Sequence, residues 1–309
     1  MIAVTRWIPD DAVKLLAEAG EVKLSHADRP LTPDELRDFV SGATAIVAML
    51  HDRIDASVAE AAGLRLRIVA NVAVGYDNVD VPALAARGTT VTNTPGVLTD
   101  ATADLTFGLI LNLTRRLGEG ERLIRTGTPW SFHLGFLLGS GLQGKTLGIV
   151  GYGQIGQAVA RRAEAFGMQI IHSGRSKRDD AVSFEELLGR ADVVSLHCPL
   201  TPETRHLIDA AALRAMKPGA VLINTTRGPV VDETALADAL EAGEIAGAAL
   251  DVFEREPAVE PRLLRLENVL LTPHLGSATV ETRTAMAVLA AKNVVAVLAG
   301  EPPLTEVRP

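Results

Sequence analysis

The sequence predicts an α/β protein with two doubly wound parallel-sheet domains and a cleft between them. Short apolar runs alternate with amphipathic helical stretches along nearly the whole chain. The alternation pauses at a long apolar helical pattern after residue 100 and then begins again, so the chain holds two such units. Alternating strands and helices favour parallel sheets with helices on both faces, as in Rossmann and flavodoxin-like folds.

The first unit occupies residues 1–97. Its candidate strands are Ile2–Arg6, Glu21–Leu24, Ala45–Met49, Ile68–Asn71 and Thr89–Val91. Helical patterns lie between these strands and are clearest at Asp55–Ala62 and Val81–Arg87.

The second unit repeats the alternation between residues 146 and 272. Its candidate strands are Thr146–Val150, Gln169–His172, Asp192–Leu196, Ala220–Asn224, Gly247–Leu250 and Val269–Leu271. A helix is predicted over Glu233–Ala242, with Asp232 in the N-cap position and Gly243 just beyond its end.

Two long helical patterns connect the units. One covers Ala101–Arg125, and the other covers Thr279–Leu298 close to the end of the sequence. We expect the last helix to carry the chain back to the first unit, which makes that domain discontinuous. Residues 1–97 and 287–309 then form one domain, and residues 98–286 form the other. Ligands of open α/β folds bind beyond the carboxyl ends of the strands, so the cleft is the expected substrate site.

Composition limits the class of protein. The chain has 309 residues and a hydrophobic content of 47%, which is enough for two cores. A formal net charge of −8 argues against nucleic acid as a partner. No uninterrupted apolar run reaches the roughly 18 residues of a membrane span, and the N-terminus lacks the pattern of a signal peptide. Because Cys198 is the only cysteine, no internal disulfide can form, and we expect a cytoplasmic protein.

A glycine fingerprint follows the first strand of the second unit. The segment Gly151-Tyr-Gly153-Gln-Ile-Gly156 lies between a buried strand and a helical run over Gln157–Phe166. Gly151 would make a tight turn, Gly153 would let the backbone approach a pyrophosphate, and Gly156 would let helix and strand pack closely. With the N–H donors of the helix N-terminus, this pattern predicts a dinucleotide site.

The end of the next strand bears on which dinucleotide is bound. An NAD-binding fold usually places a carboxylate about 20 residues beyond the glycines, where it accepts from the ribose 2′-hydroxyl. Here Gly174 occupies that position and Arg175 follows it. With no carboxylate to repel a 2′-phosphate and a guanidinium to bind it, the sequence favours NADPH over NADH. Arg175 could also be a solvated cation in a basic turn.

Three polar residues stand just past the last three strands of the second unit: Arg227, Glu256 and His274. An arginine can hold a carboxylate through two parallel hydrogen bonds, and a histidine can exchange a proton near neutral pH. A carboxylate bonded to that histidine fixes its tautomer and favours its protonated form. We therefore predict that these three residues are catalytic.

Four segments occur in a characteristic order: GYGQIG at 151–156, NTTRGPVVDETAL at 224–236, DVFEREP at 251–257 and TPHLGS at 272–277. This order resembles the D-isomer-specific 2-hydroxyacid dehydrogenase family over essentially the whole chain, and within it the glyoxylate/hydroxypyruvate reductases. The resemblance implies an oxidoreductase that transfers hydride between NADPH and a small 2-oxo acid to give the D-2-hydroxy acid. It also makes residues 98–286 the dinucleotide-binding domain and the discontinuous domain the substrate-binding one.

The resemblance implies roles for individual residues. Arg227 would bind the substrate carboxylate and polarise its carbonyl, and His274, paired with Glu256, would donate the proton. The backbone N–H groups of Val74 and Gly75 would also hold the substrate carboxylate. The expected cofactor-binding residues are Thr102, Gly151, Gly153, Gln154, Ile155, Gly156, Ser173, Arg175, Ser176, Cys198, Pro199, Thr225, Asp251 and Gly276. Among these, Asp251 would orient the nicotinamide carboxamide, and Ser-Gly-Arg at 173–175 matches the NADPH-using reductases of the family.

Several alternatives stay open at this point. A phosphoglycerate dehydrogenase-like enzyme should carry an acidic residue at position 174, and a cofactor-sensing corepressor should carry extra tails or a peptide-docking groove. NADH could serve in place of NADPH. Formate is disfavoured as a substrate, because formate dehydrogenases carry Gln where this chain has Glu256. Gly139–Thr146 matches the P-loop pattern, but it opens into a strand rather than a helix. The seven histidines show no metal-ligand spacing, so no metal site is expected.

The loop after the first long helical pattern leaves the identity of the 2-oxo acid open. Many glyoxylate reductases carry two tryptophans there, whereas this chain has Trp130 and Phe132. The long helix and the apolar loop Trp130–Leu138 would expose more apolar surface than a monomer tolerates comfortably. Together with the family's mode of pairing, this predicts a homodimer.

Overall fold

A computed structural model of the chain describes residues 1–27, 29–174 and 180–309. The chain divides into two compact units, one formed by Met1–Leu98 with Ala278–Pro309 and the other by Thr99–Ser277. Each unit is an α/β domain with its own six-stranded sheet.

The first unit has five parallel strands and one antiparallel edge strand, in the order β2-β1-β3-β4-β5-β12. With all elements numbered in chain order, its strands are β1 (Ile2–Val4), β2 (Val22–Leu24), β3 (Ala45–Ala48), β4 (Ile68–Asn71), β5 (Thr90–Thr92) and β12 (Glu306–Val307). Its helices are α1 (Asp10–Ala19), α2 (Pro33–Val40), α3 (Ala56–Ala62), α4 (Val81–Ala85) and α11 (Val280–Ala299).

The second unit has an all-parallel sheet in the order β7-β6-β8-β9-β10-β11. Its strands are β6 (Thr146–Val150), β7 (Gln169–Ser173), β8 (Val193–Leu196), β9 (Val221–Asn224), β10 (Gly247–Leu250) and β11 (Val269–Leu271). Its helices are α5 (Thr99–Thr114), α6 (Leu117–Arg125), α7 (Gln154–Ala165), α8 (Phe184–Arg190), α9 (Ala210–Ala215) and α10 (Glu233–Glu241). The strand order reverses between β6 and β8, the kind of switch point at which doubly wound folds bind ligands.

Burial explains why the central strands appear in the sequence as apolar runs without alternation. Every residue of β3, β4, β8, β9 and β10 is buried, because helices cover both faces of each sheet. The predicted N-cap of α10 is confirmed, since the Asp232 side chain accepts a hydrogen bond from the Ala235 amide.

The single helix predicted over Ala101–Arg125 is wrong, because the structure has two helices there, α5 and α6. The break lies at Arg116, whose φ of 55° is in the left-handed region. The carbonyl of Thr114, at the end of α5, accepts the backbone N–H of Ser140 at 2.8 Å. A residue 26 positions further along the chain therefore completes this helix end, and helical periodicity cannot reveal such a contact.

Smaller differences concern the bounds of several elements and of the domains. Strand β1, for example, ends at Val4 rather than at Arg6, and β5 covers Thr90–Thr92 rather than Thr89–Val91. Helix α7 begins at Gln154 rather than Gln157, because Gly153 is already its N-cap residue. The first unit resumes at Ala278, nine residues before the boundary predicted at 287, because α11 begins at Val280 and packs against α1. Strand β12 was not predicted, since only two residues pair with β5.

Among the described residues, α11 is the one helix long and apolar enough to cross a membrane by length and composition. Its apolar residues are instead part of the core of the first unit. Ala287, Ala291 and Val294 pack with residues of β1 and α1. Because these residues lie in the core, the apolar composition of α11 is that of a buried helix in a protein interior.

We predict that Asn293 holds the C-terminal segment onto α11. The side chain is fully buried, donates to Thr305 Oγ1 at 2.8 Å and accepts the backbone N–H groups of Leu304 and Thr305. Asn293→Ala should lower the free energy of unfolding by roughly 1–3 kcal/mol, because the N–H groups of Leu304 and Thr305 lose their acceptor. Urea unfolding measures this loss, with the exposed neighbour substitution Lys292→Ala as control. Equal stability of the two variants would contradict the prediction.

Candidate active site

Three adjacent strands bring the predicted catalytic residues to one edge of the second sheet. Arg227 follows β9, Glu256 follows β10 and His274 follows β11. Since β9, β10 and β11 are parallel neighbours, their carboxyl ends meet at the same edge. Residues far apart in sequence are thereby assembled into one group.

Glu256 and His274 form a hydrogen-bonded pair. Glu256 Oε2 lies 3.0 Å from His274 Nδ1, and the two side chains are 17% and 24% exposed. The other carboxylate oxygen, Oε1, accepts the backbone N–H of Phe253 at 3.0 Å. The carboxylate is thus held at both oxygens, and the bond at Nδ1 makes Nε2 the ring nitrogen suited to proton transfer.

The carboxylate of Asp251 organises the loop that carries His274. This fully buried side chain accepts the Thr272 hydroxyl at 2.6 Å and the backbone N–H groups of Leu275 and Gly276 at 2.7 and 2.8 Å. The His274 backbone N–H donates to the Asp251 carbonyl, and His274 itself has a φ of 53°. Burial raises the pKa of Asp251, although the three donors oppose this effect. The loop conformation therefore depends on Asp251, whose contact with nicotinamide stays a prediction.

Asn224 shapes the turn that presents Arg227. Its side-chain amide donates to the Arg227 carbonyl at 3.0 Å, and its side-chain oxygen accepts the Thr226 backbone N–H at 3.1 Å. The Arg227 guanidinium is half-buried and donates to the Thr226 carbonyl at 2.9 Å. Asn224 was not among the site residues predicted from the sequence. It could have been predicted from its place at the end of a strand, because an asparagine side chain there commonly forms hydrogen bonds with the backbone of the next residues.

The turn of Arg227 is in backbone contact with the loop that leads to Glu256. A Cβ atom at Gly228 would lie 1.8 Å from the carbonyl carbon of Phe253 and 2.4 Å from the Glu254 nitrogen. Only glycine fits such an approach. Gly228 therefore allows the turn of Arg227 to pack directly against the segment that leads to Glu256.

A second histidine also stands at the end of a strand in this unit. His197 follows β8, and its Nε2 lies 2.8 Å from Ser195 Oγ. Burial lowers the pKa of His197 to about 3, so its ring stays neutral at physiological pH. Of these two strand-end histidines, His274 is the one whose carboxylate partner suits it to donate a proton.

The glycine fingerprint has the geometry that a dinucleotide requires. Gly151 has a φ of 95°, and a Cβ there would lie 2.6 Å from the Cys198 nitrogen. A Cβ at Gly156 would lie 2.4 Å from the Gly151 carbonyl oxygen, whereas the space around Gly153 is open within 4 Å. In the described part of the chain no side chain caps α7, so its first N–H groups point to a site for an anion.

Other predicted cofactor residues lie at the same edge. The Ser173 carbonyl, at the end of β7, accepts the Gly151 N–H at 2.8 Å, and Thr225 follows β9. Cys198 and Pro199 follow β8, and Gln154 and Ile155 begin α7. A Cβ atom built at Gly276 would lie 3.6 Å from Thr102 Oγ1.

Two of the predicted cofactor residues, Arg175 and Ser176, lie outside the described residues. Their neighbour Gly174 is described, and its Cβ position would lie 3.7 Å from the Gly151 Cα.

Val74 and Gly75 belong to the first unit, in the loop after β4. The Val74 carbonyl accepts the Asn93 side-chain amide at 2.8 Å, and the Gly75 carbonyl accepts that of Asn71 at 3.0 Å. Within the residues that the structure describes, no acceptor is found for the N–H groups of Val74 and Gly75. Two adjacent amide donors of this kind suit an anion such as a carboxylate.

Comparison with known proteins establishes the class of protein. Residues 107–276 match the profile described as D-isomer specific 2-hydroxyacid dehydrogenase, NAD binding domain. A glyoxylate reductase from Thermococcus litoralis is 47% identical over 315 residues, which cover 98% of this chain and 95% of the relative. The chain therefore belongs to the D-isomer-specific 2-hydroxyacid dehydrogenase family and is an oxidoreductase with an NAD-binding domain.

Solved structures share the fold. A protein from Thermus thermophilus superposes with a TM-score of 0.94 at 47% identity, with 99% of both chains covered. An NADPH-dependent glyoxylate/hydroxypyruvate reductase from Sinorhizobium meliloti, in complex with NADP and malonate, gives a TM-score of 0.86 at 39% identity. That match covers 99% of this chain and 96% of the other. The predicted fold class and family resemblance are confirmed.

Proposed function

We propose that this protein reduces glyoxylate or hydroxypyruvate to the corresponding 2-hydroxy acid, of D configuration where the product is chiral, with NADPH as the preferred cofactor. The observation that carries the proposal is the Glu256–His274 pair at the end of β11, beside the Arg227 turn. Reduction of a 2-oxo acid needs a cation that binds the substrate carboxylate. It also needs a proton donor, here a protonated imidazole, for the carbonyl oxygen. The names of the relatives, glyoxylate reductase and glyoxylate/hydroxypyruvate reductase, support this substrate class.

In the proposed reaction each side chain of the site has a separate role. NADPH, when bound, supplies the hydride that reduces the 2-oxo carbon. Arg227 holds the substrate carboxylate and polarises the carbonyl, and His274 Nε2 delivers a proton to the oxygen as negative charge develops there. Glu256 stabilises the imidazolium before transfer and keeps Nδ1 as its hydrogen-bonded nitrogen. For Val74 and Gly75 we propose a second role in carboxylate binding, because both carbonyls are held by asparagines.

The preference for NADPH rests on residues at the end of β7. Gly174 lies against the glycine turn and offers no carboxylate to repel a 2′-phosphate. Arg175 follows it in sequence and offers a charged, planar donor. The Sinorhizobium meliloti relative, which was solved with NADP, supports the same choice.

One assay tests the proposed reaction against its nearest alternatives. Oxidation of NADPH or NADH is followed on addition of glyoxylate, hydroxypyruvate or 3-phosphohydroxypyruvate. We expect turnover with the first two substrates and NADPH. A preference for 3-phosphohydroxypyruvate with NADH would indicate a phosphoglycerate dehydrogenase-like enzyme, and no turnover with any substrate would favour a cofactor-sensing protein.

We further propose a cytoplasmic homodimer. Helix α6 has no buried residue, and the segment that follows it exposes Trp130, Phe132, Leu134 and Leu138 by 55% to 89%. So much apolar surface in one continuous segment is typical of a protein interface. The lone, buried Cys198 is compatible with a reducing compartment.

The first prediction from the proposed function concerns the proton. His274→Ala should lower kcat by roughly 10²–10⁴, the usual contribution of a general acid, while NADPH still binds. Glu256→Gln keeps the shape of the pair and removes its charge, so the falling limb of the pH–rate profile should move to lower pH. Steady-state kinetics across pH measure both effects, with the exposed substitution His26→Ala as control. Near-normal turnover of His274→Ala would exclude the mechanism.

The second prediction concerns the cofactor. Arg175→Ala should weaken NADPH binding by about 1.5–3 kcal/mol, or roughly 10- to 150-fold, because a charge-assisted contact with the phosphate is lost. Binding of NADH should stay nearly unchanged. Fluorescence titration with each cofactor measures the difference, and Arg161→Ala, an exposed substitution on α7, controls for net charge. Equal losses with both cofactors would show that Arg175 does not contact the phosphate.

The third prediction concerns the interface. Light scattering should give a mass twice that of the 32.6 kDa chain at micromolar concentration. The double variant Phe132→Ser, Leu134→Ser should shift this mass toward the monomer, because both side chains are largely exposed and apolar. Leu64→Ser removes an equally exposed leucine from the first unit and should leave the mass unchanged. A monomeric unmodified protein would contradict the proposal.

A further inference from the structure

A buried carboxylate with no part in the proposed reaction lies beside the loop that carries Glu256. Glu233 is the first residue of α10 and is only 6% exposed. Its Oε1 accepts the backbone N–H of Glu254 at 2.6 Å. One side chain from a helix thus holds the loop between β10 and β11 at the amide two residues before Glu256.

The hydrogen bonds of Glu233 and Glu256 fall on consecutive peptide groups. The Phe253 N–H donates to Glu256 Oε1 at 3.0 Å, and the next N–H, that of Glu254, donates to Glu233. Glu256 Oε2 in turn meets His274 Nδ1 at 3.0 Å. A displacement of the Glu254 amide would therefore displace the Phe253 amide, and with it the carboxylate that faces the histidine.

The burial of Glu233 is costly and needs an explanation. Burial raises the pKa of Glu233, nearby backbone N–H groups, chiefly that of Glu254, lower it, and the nearby carboxylates of Glu254 and Glu260 raise it further. Capping α10 does not require this residue, because Asp232 already accepts the Ala235 amide. The hydrogen bond with the Glu254 amide is therefore the structural role that the Glu233 carboxylate can have.

We propose that Glu233 is a positioning residue that fixes the loop at residues 253–256 and so orients Glu256 toward His274. Glu233 acts through the Glu254 amide and does not itself reach His274. The inference rests on the proposed function to the extent that it assigns the Glu256–His274 pair to proton donation. If this is so, kcat and the pH–rate profile depend on a hydrogen-bond acceptor of the right length at position 233. They do not depend on a negative charge there.

Two variants separate reach from charge. Glu233→Gln keeps a carbonyl oxygen at the same reach and removes the charge, so kcat and the pH profile should stay within about twofold of the unmodified enzyme. Glu233→Asp keeps the charge and shortens the side chain by one methylene, so the bond to Glu254 is lost. We expect Glu233→Asp to lower kcat about tenfold, because small misplacements of reacting groups are expensive. The falling limb of its pH–rate profile should move to lower pH, as for Glu256→Gln, with the KM for NADPH unchanged.

Stability provides an independent readout of the same carboxylate. A pKa that is raised by burial in the folded state means that the neutral form favours folding. That contribution is present below the pKa of the unfolded chain and is lost as pH rises through the raised folded value. Glu233→Gln cannot ionise, so at neutral pH its melting temperature should equal or exceed that of the unmodified protein.

Asp192→Ala is the matched control for loss of a structural carboxylate. Asp192 accepts the Thr146 backbone N–H at 2.8 Å and the Lys217 ammonium at 3.2 Å, just before β8 at the amino edge of the same sheet. This variant should lower the melting temperature without moving the pH profile. NMR titration of the His274 imidazole adds a measurement that needs no substrate.

The outcomes distinguish this inference from the proposed function. A shifted pH limb for Glu256→Gln together with an unshifted limb for Glu233→Asp would overturn the role of Glu233 alone. Equal impairment of Glu233→Gln and Glu233→Asp would also overturn it, since charge would then matter. If no 2-oxo acid were reduced but Glu233→Asp still shifted the His274 titration, the proposed function would fail and the positioning role would stand.

Discussion

The hydrogen bond between Glu256 Oε2 and His274 Nδ1 is the interaction on which the proposed proton transfer depends. Both partners stand on loops, and separate contacts hold each loop in place. The three donors to Asp251 shape the loop of His274, and the Phe253 amide fixes the other oxygen of Glu256. A proton donor that is oriented before substrate arrives loses little entropy in the reaction. The 3.0 Å contact is therefore the product of a rigid backbone arrangement, not of two free side chains.

The parallel sheet is what makes this arrangement possible. Each of β9, β10 and β11 ends at the same edge, and the segment after each strand contributes one member of the group. Gly228 lets the first two of these segments touch through their backbones, which brings the Arg227 turn against the loop of Glu256. The same edge carries the glycine turn between β6 and α7, which suits the phosphates of a dinucleotide. In the proposed reaction, this one sheet edge would hold both the cofactor that supplies the hydride and the histidine that supplies the proton.

The sequence predicted the strands and the polar residues at their ends well, because both leave local signals. Buried strands are apolar runs of fixed length, and Arg227, Glu256 and His274 follow them directly. Features that depend on distant contacts were not predictable in this way. The end of α5 depends on the Ser140 amide, and β12 exists only by pairing with β5. In the sequence, Glu233 is an ordinary acidic residue in the first turn of a helix. Only the structure shows that it is buried and that it accepts the Glu254 amide.

The most direct test of the proposed reaction follows the hydride itself. Hydroxypyruvate is incubated with the enzyme and NADPH that carries deuterium at both C4 positions, and the glycerate formed is analysed by mass spectrometry and chiral chromatography. The account predicts D-glycerate with one deuterium at C2, in proportion to the NADPH oxidised. Glycerate of the L configuration, or NADPH oxidation without deuterium at C2, would contradict it.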